Sequence, residues 1–386
     1  MKILHIALSC FYVEGLGYQE NLLPKYHKLL GNDVVILTSD FTNSHLGDPK
    51  YAGLREYDND DSVHVIKLER NEPRIFGREL RLDRYDGVYE AMERVKPDLI
   101  FIHGLTALAD LPIAKYLRKH KNVTAYADQH ADYYNTPIQT AKQRAVMRLL
   151  WRPVIKKLAK PVKKFWGTTP WRCRYMEEVY RLPADKIGLL VMGADNRRID
   201  FARQTAIRTR IRAALGLSED DFVVVSGGKI DRIKNIHLLM QAVKELHADK
   251  LKLIVFGSVT EDMRDEVDAL SADPHIRNVG WLDAGAVYDY FLAAELAVFP
   301  GTHSVLWEQA CGCGIPCVFK KWEGMQHVSS GGNAVLLDDV TVDALASVLR
   351  DLYTDRERYR KMKRRAMACK DEFSYEEIAK KAIEMR

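Results

Sequence analysis

A single carboxylate, Glu308, stands among neutral and small residues in the stretch VFPGTHSVLWEQACGCGIPCV, residues 298–318. Pro300 and Gly301 interrupt the strand before it, and Ala310, Gly312 and Gly314 keep bulk out of the helix after it. Small residues at such a corner admit a close approach by backbone or ligand, and amides at a helix start favour an anion. Upstream, GGKIDRIKN (227–235) sets Lys229, Arg232 and Lys234 around a glycine turn that opens a helix. Lysines so placed suit a diphosphate, which needs its charge neutralised as it leaves. A third candidate is His130, between Asp128 and Asp132 in DQHADYYN (128–135), with His103 as a weaker rival. Each feature also has a plain structural reading: a packing corner, chance basic residues, a core histidine.

The elements that must position these residues follow from hydrophobic runs. KILHIALS, DVVILTSD, VHVIKLE (63–69), DLIFIHG (98–104) and NVTAYAD read as strands, and helical patterns separate most of them. The first helix runs through Leu22, Leu23, Tyr26, Leu29 and Leu30 and is closed by Gly31. Residues 40–85 are otherwise polar and irregular. Alternation of this kind predicts a doubly wound parallel sheet, in which ligand groups stand at the carboxyl ends of the strands. His130 is at such an end. The loop FYVEGLGYQE holds Gly15 and Gly17 but no third glycine at dinucleotide spacing, so it does not support an NAD site. A second set begins with a helix over 204–215. The strand DFVVVSGG, the strand LKLIVFGS ending at Gly257, the strand into Phe299 and the strand Ile315–Phe319 follow it.

These motifs, in this order, resemble the retaining glycosyltransferases of the GT-B fold, the group 1 or family-four type common in bacterial polysaccharide and lipopolysaccharide synthesis. Glu308 matches the second glutamate of that family's donor motif, with Ala310, Gly312, Gly314, Pro316 and Val318 in step. The first glutamate has no counterpart; the loop is about three residues short and carries His303 instead. Lys229 stands where the family has an arginine, and Lys234 matches its lysine. Met192–Asp195 loosely match the handover between domains. The resemblance implies two Rossmann-like domains facing a cleft. These are an acceptor-binding domain 1–195, joined by the C-terminal helix 372–386, and a nucleotide-sugar domain 196–371. It implies catalytic roles for His130, Lys229 and Lys234. It implies donor contacts from Gly17, Gly228, Gly257, Trp281, Leu282, His303, Ser304, Val305 and Glu308, with Glu308 on the ribose and Trp281 and Leu282 by the base. No metal and no cofactor are implied. The reaction implied is transfer from a nucleoside-diphosphate sugar, UDP more than GDP, to a glycan or lipid-linked acceptor. A nucleotide-sugar 2-epimerase, a phosphorylase or a non-catalytic nucleotide-sugar-binding protein would share the architecture.

Composition agrees with a globular chain of two or three domains: 386 residues, 47% hydrophobic and 29% charged. A net charge of +5 is too small to imply nucleic acid. The six cysteines show no framework spacing, which predicts a reducing cytoplasm; Cys311, Cys313 and Cys317 lack a second ligand pair at zinc spacing. MKILHIALSCF reads as a strand rather than a signal peptide. Nine Lys/Arg and no acid lie between Lys142 and Lys164, beside Val146, Leu149, Leu150, Val154 and Leu158 on one helical face. That profile fits an interfacial helix on an anionic membrane, here the inner face of the plasma membrane, and equally a core helix with a solvated basic face.

Overall fold

The computed structural model describes residues 1–10, 12–40, 49–51, 53–75, 78–80, 82–136 and 138–384. Phe11 of the first glycine loop, part of the irregular 40–85 stretch and the last two residues of the expected terminal helix lie outside the described residues. The chain divides into two compact units, Met1–Val191 with Ile378–Arg386, and Met192–Glu377.

The first unit contains, in order, β1 (Lys2–Ala7), α1 (Gln19–Leu29), β2 (Asp33–Ser39), β3 (Glu56–Asp58), β4 (His64–Leu68), the short pair β5 (Arg74–Ile75) and β6 (Arg78–Glu79), and α2 (Val88–Val95). Then come β7 (Leu99–His103), α3 (Asp110–Lys119), β8 (Thr124–Gln129), α4 (Ala141–Val146), α5 (Arg152–Ala159), β9 (Lys164–Gly167), α6 (Pro170–Tyr175) and β10 (Ile187–Leu189). Its main sheet has the order β10-β9-β8-β7-β1-β2-β4-β3, parallel except for the edge strand β3. Buried on both faces, the parallel strands carry the near-continuous apolar runs that such sheets need. The order reverses beside β1, so the ends of β1, β7 and β8 form the topological switch point where α/β sheets bind ligands.

The second unit contains α7 (Gln204–Ala214), β11 (Phe222–Gly227), α8 (Ile236–Leu246), β12 (Leu251–Phe256), α9 (Arg264–Ser271), β13 (Ile276–Asn278), α10 (Ala286–Ala293) and β14 (Leu296–Phe299). It continues with α11 (Leu306–Gly312), β15 (Cys317–Lys320), β16 (Ala334–Leu337), α12 (Val342–Thr354), α13 (Arg356–Cys369) and the start of α14 (Tyr375–Ala382). The sheet order is β13-β12-β11-β14-β15-β16, all parallel.

The last turns of α14 belong to the first unit and dock on it. His27 of α1 bonds the carbonyl of Ala379 at 2.9 Å, and Trp166 Nε1 donates to the carbonyl of Ala382 at 2.9 Å. Both carbonyls are among the last four of a helix, which have no partner within it.

The basic segment departs from expectation. Its helix is broken by a π-helical turn at Met147–Trp151, which resets the face. Val154 and Leu158 are buried in the core, whereas Val146 and Leu149 face solvent, Leu149 being 71% exposed. The five apolar residues therefore do not share one face.

Candidate functional site

Two loops of the second unit are latched together. After β11 the chain turns at Gly228 and makes a tight turn over Arg232–Lys234, with the Asp231 carboxylate accepting from the Lys234 amide. That turn lies against the loop following β14. Asn235 Nδ2 donates to Pro300 O at 3.1 Å, and the Thr302 amide donates to Ile233 O at 3.2 Å. The approach is close enough that a Cβ on Gly301 would stand 2.3 Å from Lys234 Cα, so only glycine fits. At the next strand end Gly257 has φ +131°, and a Cβ there would meet Gly228 O at 1.7 Å. The motifs around Lys234 and Glu308 thus form one surface at the ends of β11, β12 and β14.

The lysines differ in commitment. Lys234 is half-buried, and its ammonium donates to Thr302 O at 2.7 Å and His303 O at 3.1 Å; burial lowers its pKa. Two of its three donors brace the loop and one remains. Lys229 extends into solvent, 3.6 Å from Asp231. Trp281 is 70% exposed and Leu282 partly exposed in the segment after β13, neither being core. Ser304 and Val305 stand partly exposed at the start of α11, beside His303.

Glu308 is fully buried. His303 Nε2 and His327 Nε2 both donate to its Oε1, at 2.7 and 2.8 Å, while Oε2 has no hydrogen-bond partner. Burial alone would raise this carboxyl, but the two histidines outweigh it and hold the group at about 2. The atoms of His303, Glu308 and His327 lie within 4.8 Å of one another, a grouping that can gather a cation. The two separations from Glu308 are those of hydrogen bonds, however. Ligands around one zinc at ~2.0–2.1 Å in a tetrahedron stand about 3.4 Å apart. The trio is a hydrogen-bonded brace that orients the carboxylate. His327 was not foreseen, because its place beside Glu308 comes from the turn before β16 and not from spacing.

In the first unit, His130 sits at the end of β8, with Nε2 3.7 Å from both Asp128 Oδ1 and Glu20 Oε1. Burial lowers its pKa, but Glu20 and Asp128 more than reverse this and raise it. Gly17 lies in the loop that leads to Gln19 and Glu20 of α1. His103 is wholly buried behind Asp128, and both of its ring nitrogens are taken, Nδ1 by Asp128 and Nε2 by His5, each at 2.9 Å.

The cysteines are thiols, each of Cys311 and Cys317 bonded to a nearby carbonyl. Gly312 is small for a packing reason: a Cβ there would lie 2.5 Å from that of Ala194.

Residues 207–368 match the family described as glycosyl transferases group 1. The chain is a GT-B protein with a group 1 glycosyl transferase domain. It is 29% identical over 165 residues to D-inositol 3-phosphate glycosyltransferase 1 of Catenulispora acidiphila, covering 38% of this chain and 40% of that protein. It is also 29% identical over 160 residues to the lipopolysaccharide core biosynthesis glycosyltransferase LpsD of Rhizobium meliloti, covering 40% and 46%. The matched stretches thus span less than half of these relatives. The GT-B fold extends over the whole chain. Anabaena HepE, solved in complex with UDP and glucose, superposes with a TM-score of 0.68 at 17% identity, covering 100% of this chain and 98% of that one.

Proposed function

We propose that this GT-B protein is a retaining glycosyltransferase. It moves a hexose from a nucleoside-diphosphate donor, UDP rather than GDP, to a glycan or lipid-linked acceptor. The observation that carries this reading is the latched pair of loops in the second unit. They bring an exposed lysine, a braced lysine and an oriented, ionised glutamate to one set of strand ends. Lys229 and the remaining donor of Lys234 neutralise the diphosphate as the sugar–phosphate bond loosens. Glu308, charged at every physiological pH, accepts from the ribose hydroxyls, and its free Oε2 has acceptor capacity left. Trp281 offers an exposed ring to the base. His130 of the first unit, its pKa raised, donates to the sugar. The acceptor hydroxyl attacks from the face the diphosphate leaves and gives that group its proton, so no protein nucleophile is required. Under this reading His303 serves Glu308 through its ring, while Ser304, Val305, Gly228 and Gly257 shape the loops around the donor.

For the acceptor, the first unit has a cavity of about 530 Å³, lined by Asp83, Thr106, Thr140, Lys142 and Trp151 among others. Thr106, just beyond β7, holds φ +82°, a strained conformation for a β-branched residue and one that gathers at functional sites. An indole face, a carboxylate, an ammonium and hydroxyls together suit a sugar. Beside this cavity Val146 and Leu149 are exposed next to Lys142, Arg144 and Arg148. A lipid-linked acceptor at the cytoplasmic face of an anionic membrane would meet both. No helix among the described residues is long and apolar enough to span a membrane.

A thermal-shift panel of nucleotide sugars tests the donor. A UDP-hexose at 100 times its Kd stabilises the protein by ~2.7 kcal/mol. A flat response to every nucleotide sugar overturns the reading.

A further inference from the structure

Three histidines of the first unit run in file through its core. His27 Nε2 meets the carbonyl of Ala379 at 2.9 Å, and His27 Nδ1 meets His5 Nε2 at 2.9 Å. His5 Nδ1 meets His103 Nε2 at 2.9 Å, and His103 Nδ1 meets Asp128 Oδ2 at 2.9 Å. All four side chains are fully or almost fully buried. The topology builds the file. His103 and Asp128 are register partners on β7 and β8, and His5 on β1 pairs with Phe101, two residues before His103 on the same face. Helix α1 lays His27 over that face.

Counting protons along the file yields more than the distances do. Four links require four N–H or O–H protons. A backbone carbonyl ends the file at one side and a carboxylate at the other, and both only accept. Three neutral imidazoles carry one N–H each, which makes three. One proton is missing unless one imidazole is charged. The Asp128 oxygens also accept from Gln19 Nε2 at 3.0 Å and from the Gly104 amide at 3.2 Å, bonds that favour its ionised form over a donating acid. Burial would raise the Asp128 carboxyl, but His103 and His130 outweigh it and hold the group well below the usual carboxylate range. Burial pushes His5 well down and His27 to about 4, so these two are neutral. The extra proton falls to His103, the ring in contact with the carboxylate.

We propose that His103 and Asp128 form a buried imidazolium–carboxylate pair, charged at neutral pH, that positions and polarises His130, and that His5 and His27 tie this pair to the terminal helix. Asp128 faces His103 with Oδ2 and His130 with Oδ1, so one carboxylate serves both rings. The groups around the pair are few: Glu20 and Gln19 from α1, Cys10 after β1, and Arg172 from α6. Glu20 raises the His130 pKa and Arg172 opposes it. A neutral His103 would leave Asp128 short of one charge-assisted bond and the file short of one link. The ionic state of the pair and the docking of the terminal helix are therefore coupled through one continuous set of hydrogen bonds. His103 and Asp128 are positioning residues, and the effect on His130 matters for catalysis only if the glycosyltransferase reading holds. The proton count does not depend on that reading.

Nitrogen-15 NMR of the full chain with labelled histidine reads the protonation state of each ring directly. Among the three rings of the file, the expected spectrum at pH 7 has one with both nitrogens protonated and two that are neutral; His103→Gln removes that signal and assigns it. Asp128→Asn supplies the decisive comparison. An amide at 128 donates to His103 Nδ1, and Gln19, whose Oε1 has no partner, can turn to accept the other amide proton. All four links are then met by neutral groups. The imidazolium signal should vanish in this variant, and the His130 titration midpoint should fall by about one pH unit or more. Three neutral histidines in the wild type at pH 7 would overturn the proposal, as would an imidazolium that survives Asp128→Asn. If that variant does not fold, the wild-type spectrum alone decides the count. A lack of donor turnover beside the expected spectrum would refute the glycosyltransferase reading and leave the pair intact.

Discussion

Replacing Glu308 by glutamine separates the charge of the brace from its shape. In the folded protein this carboxyl is held at about 2 against an ordinary value of 4.5. At about 1.36 kcal/mol per pH unit, that difference corresponds to on the order of 3 kcal/mol. The folded value lies below the unfolded one. The stabilisation is therefore fully present above about pH 5 and is lost as the pH falls towards 2. Glutamine keeps an oxygen for the two Nε2–H donors at 2.7 and 2.8 Å but removes the charge. It also puts an NH₂ where the buried Oε2 has no partner. At pH 7 the variant should lose about 3 kcal/mol, which for a unit of this size lowers Tm by roughly 6–12 °C. At pH 3 the wild type has itself given up more than half of its advantage, so the gap between the two proteins should close by about that fraction. Calorimetric scans of both proteins from pH 7 to pH 3 make the comparison. An equal Tm deficit at both pH values, or none at pH 7, would refute a charge-stabilised brace.

Three further outcomes follow from the same geometry. Lys229→Ala should weaken nucleoside-diphosphate binding and leave Tm unchanged, whereas Lys234→Ala should lower both, because Lys234 also braces Thr302 and His303; calorimetric titration with UDP beside thermal scans checks this, each loss in turnover being on the order of 2–4 kcal/mol. Gly257→Ala meets Gly228 O at 1.7 Å in a backbone conformation foreign to alanine, so it should destabilise the second unit by ~3 kcal/mol or prevent its folding, read by urea unfolding. Leu149→Glu should abolish flotation with anionic vesicles at low salt; a wild type that ignores anionic lipid, or binds neutral vesicles equally, removes the membrane from the account.

What the sequence disclosed, and what it hid, divides along physical lines. Strands such as KILHIA and FVVVSG are legible because a buried parallel strand must be apolar throughout, and Gly31, at φ +84°, is legible as the stop of α1. The glycine turn at 228 and the small residues around 312 announce close approaches, which the packing of Gly257 on Gly228 and of Gly312 on Ala194 explains. The edge strand β3 was not legible, being three residues of mixed character. Neither was the π-helical turn, since one extra residue per turn leaves no compositional mark. The histidine partners were hidden for a different reason. His5 and His27 sit inside a strand and a helix that read as ordinary core, and only the register of β1, β7 and β8 lines them up with Asp128. Similarly, the role of His303 in the shortened loop emerges only with His327 beside it.

The most direct test of the central claim is proton NMR of the anomeric centre during turnover. The protein is incubated with a UDP-hexose, first alone and then with candidate glycan and lipid-linked acceptors. The account predicts release of UDP and a new glycosidic anomeric signal with the configuration of the donor. An inverted anomeric signal would contradict the mechanism, and conversion of the donor to its 2-epimer without any acceptor would contradict the function.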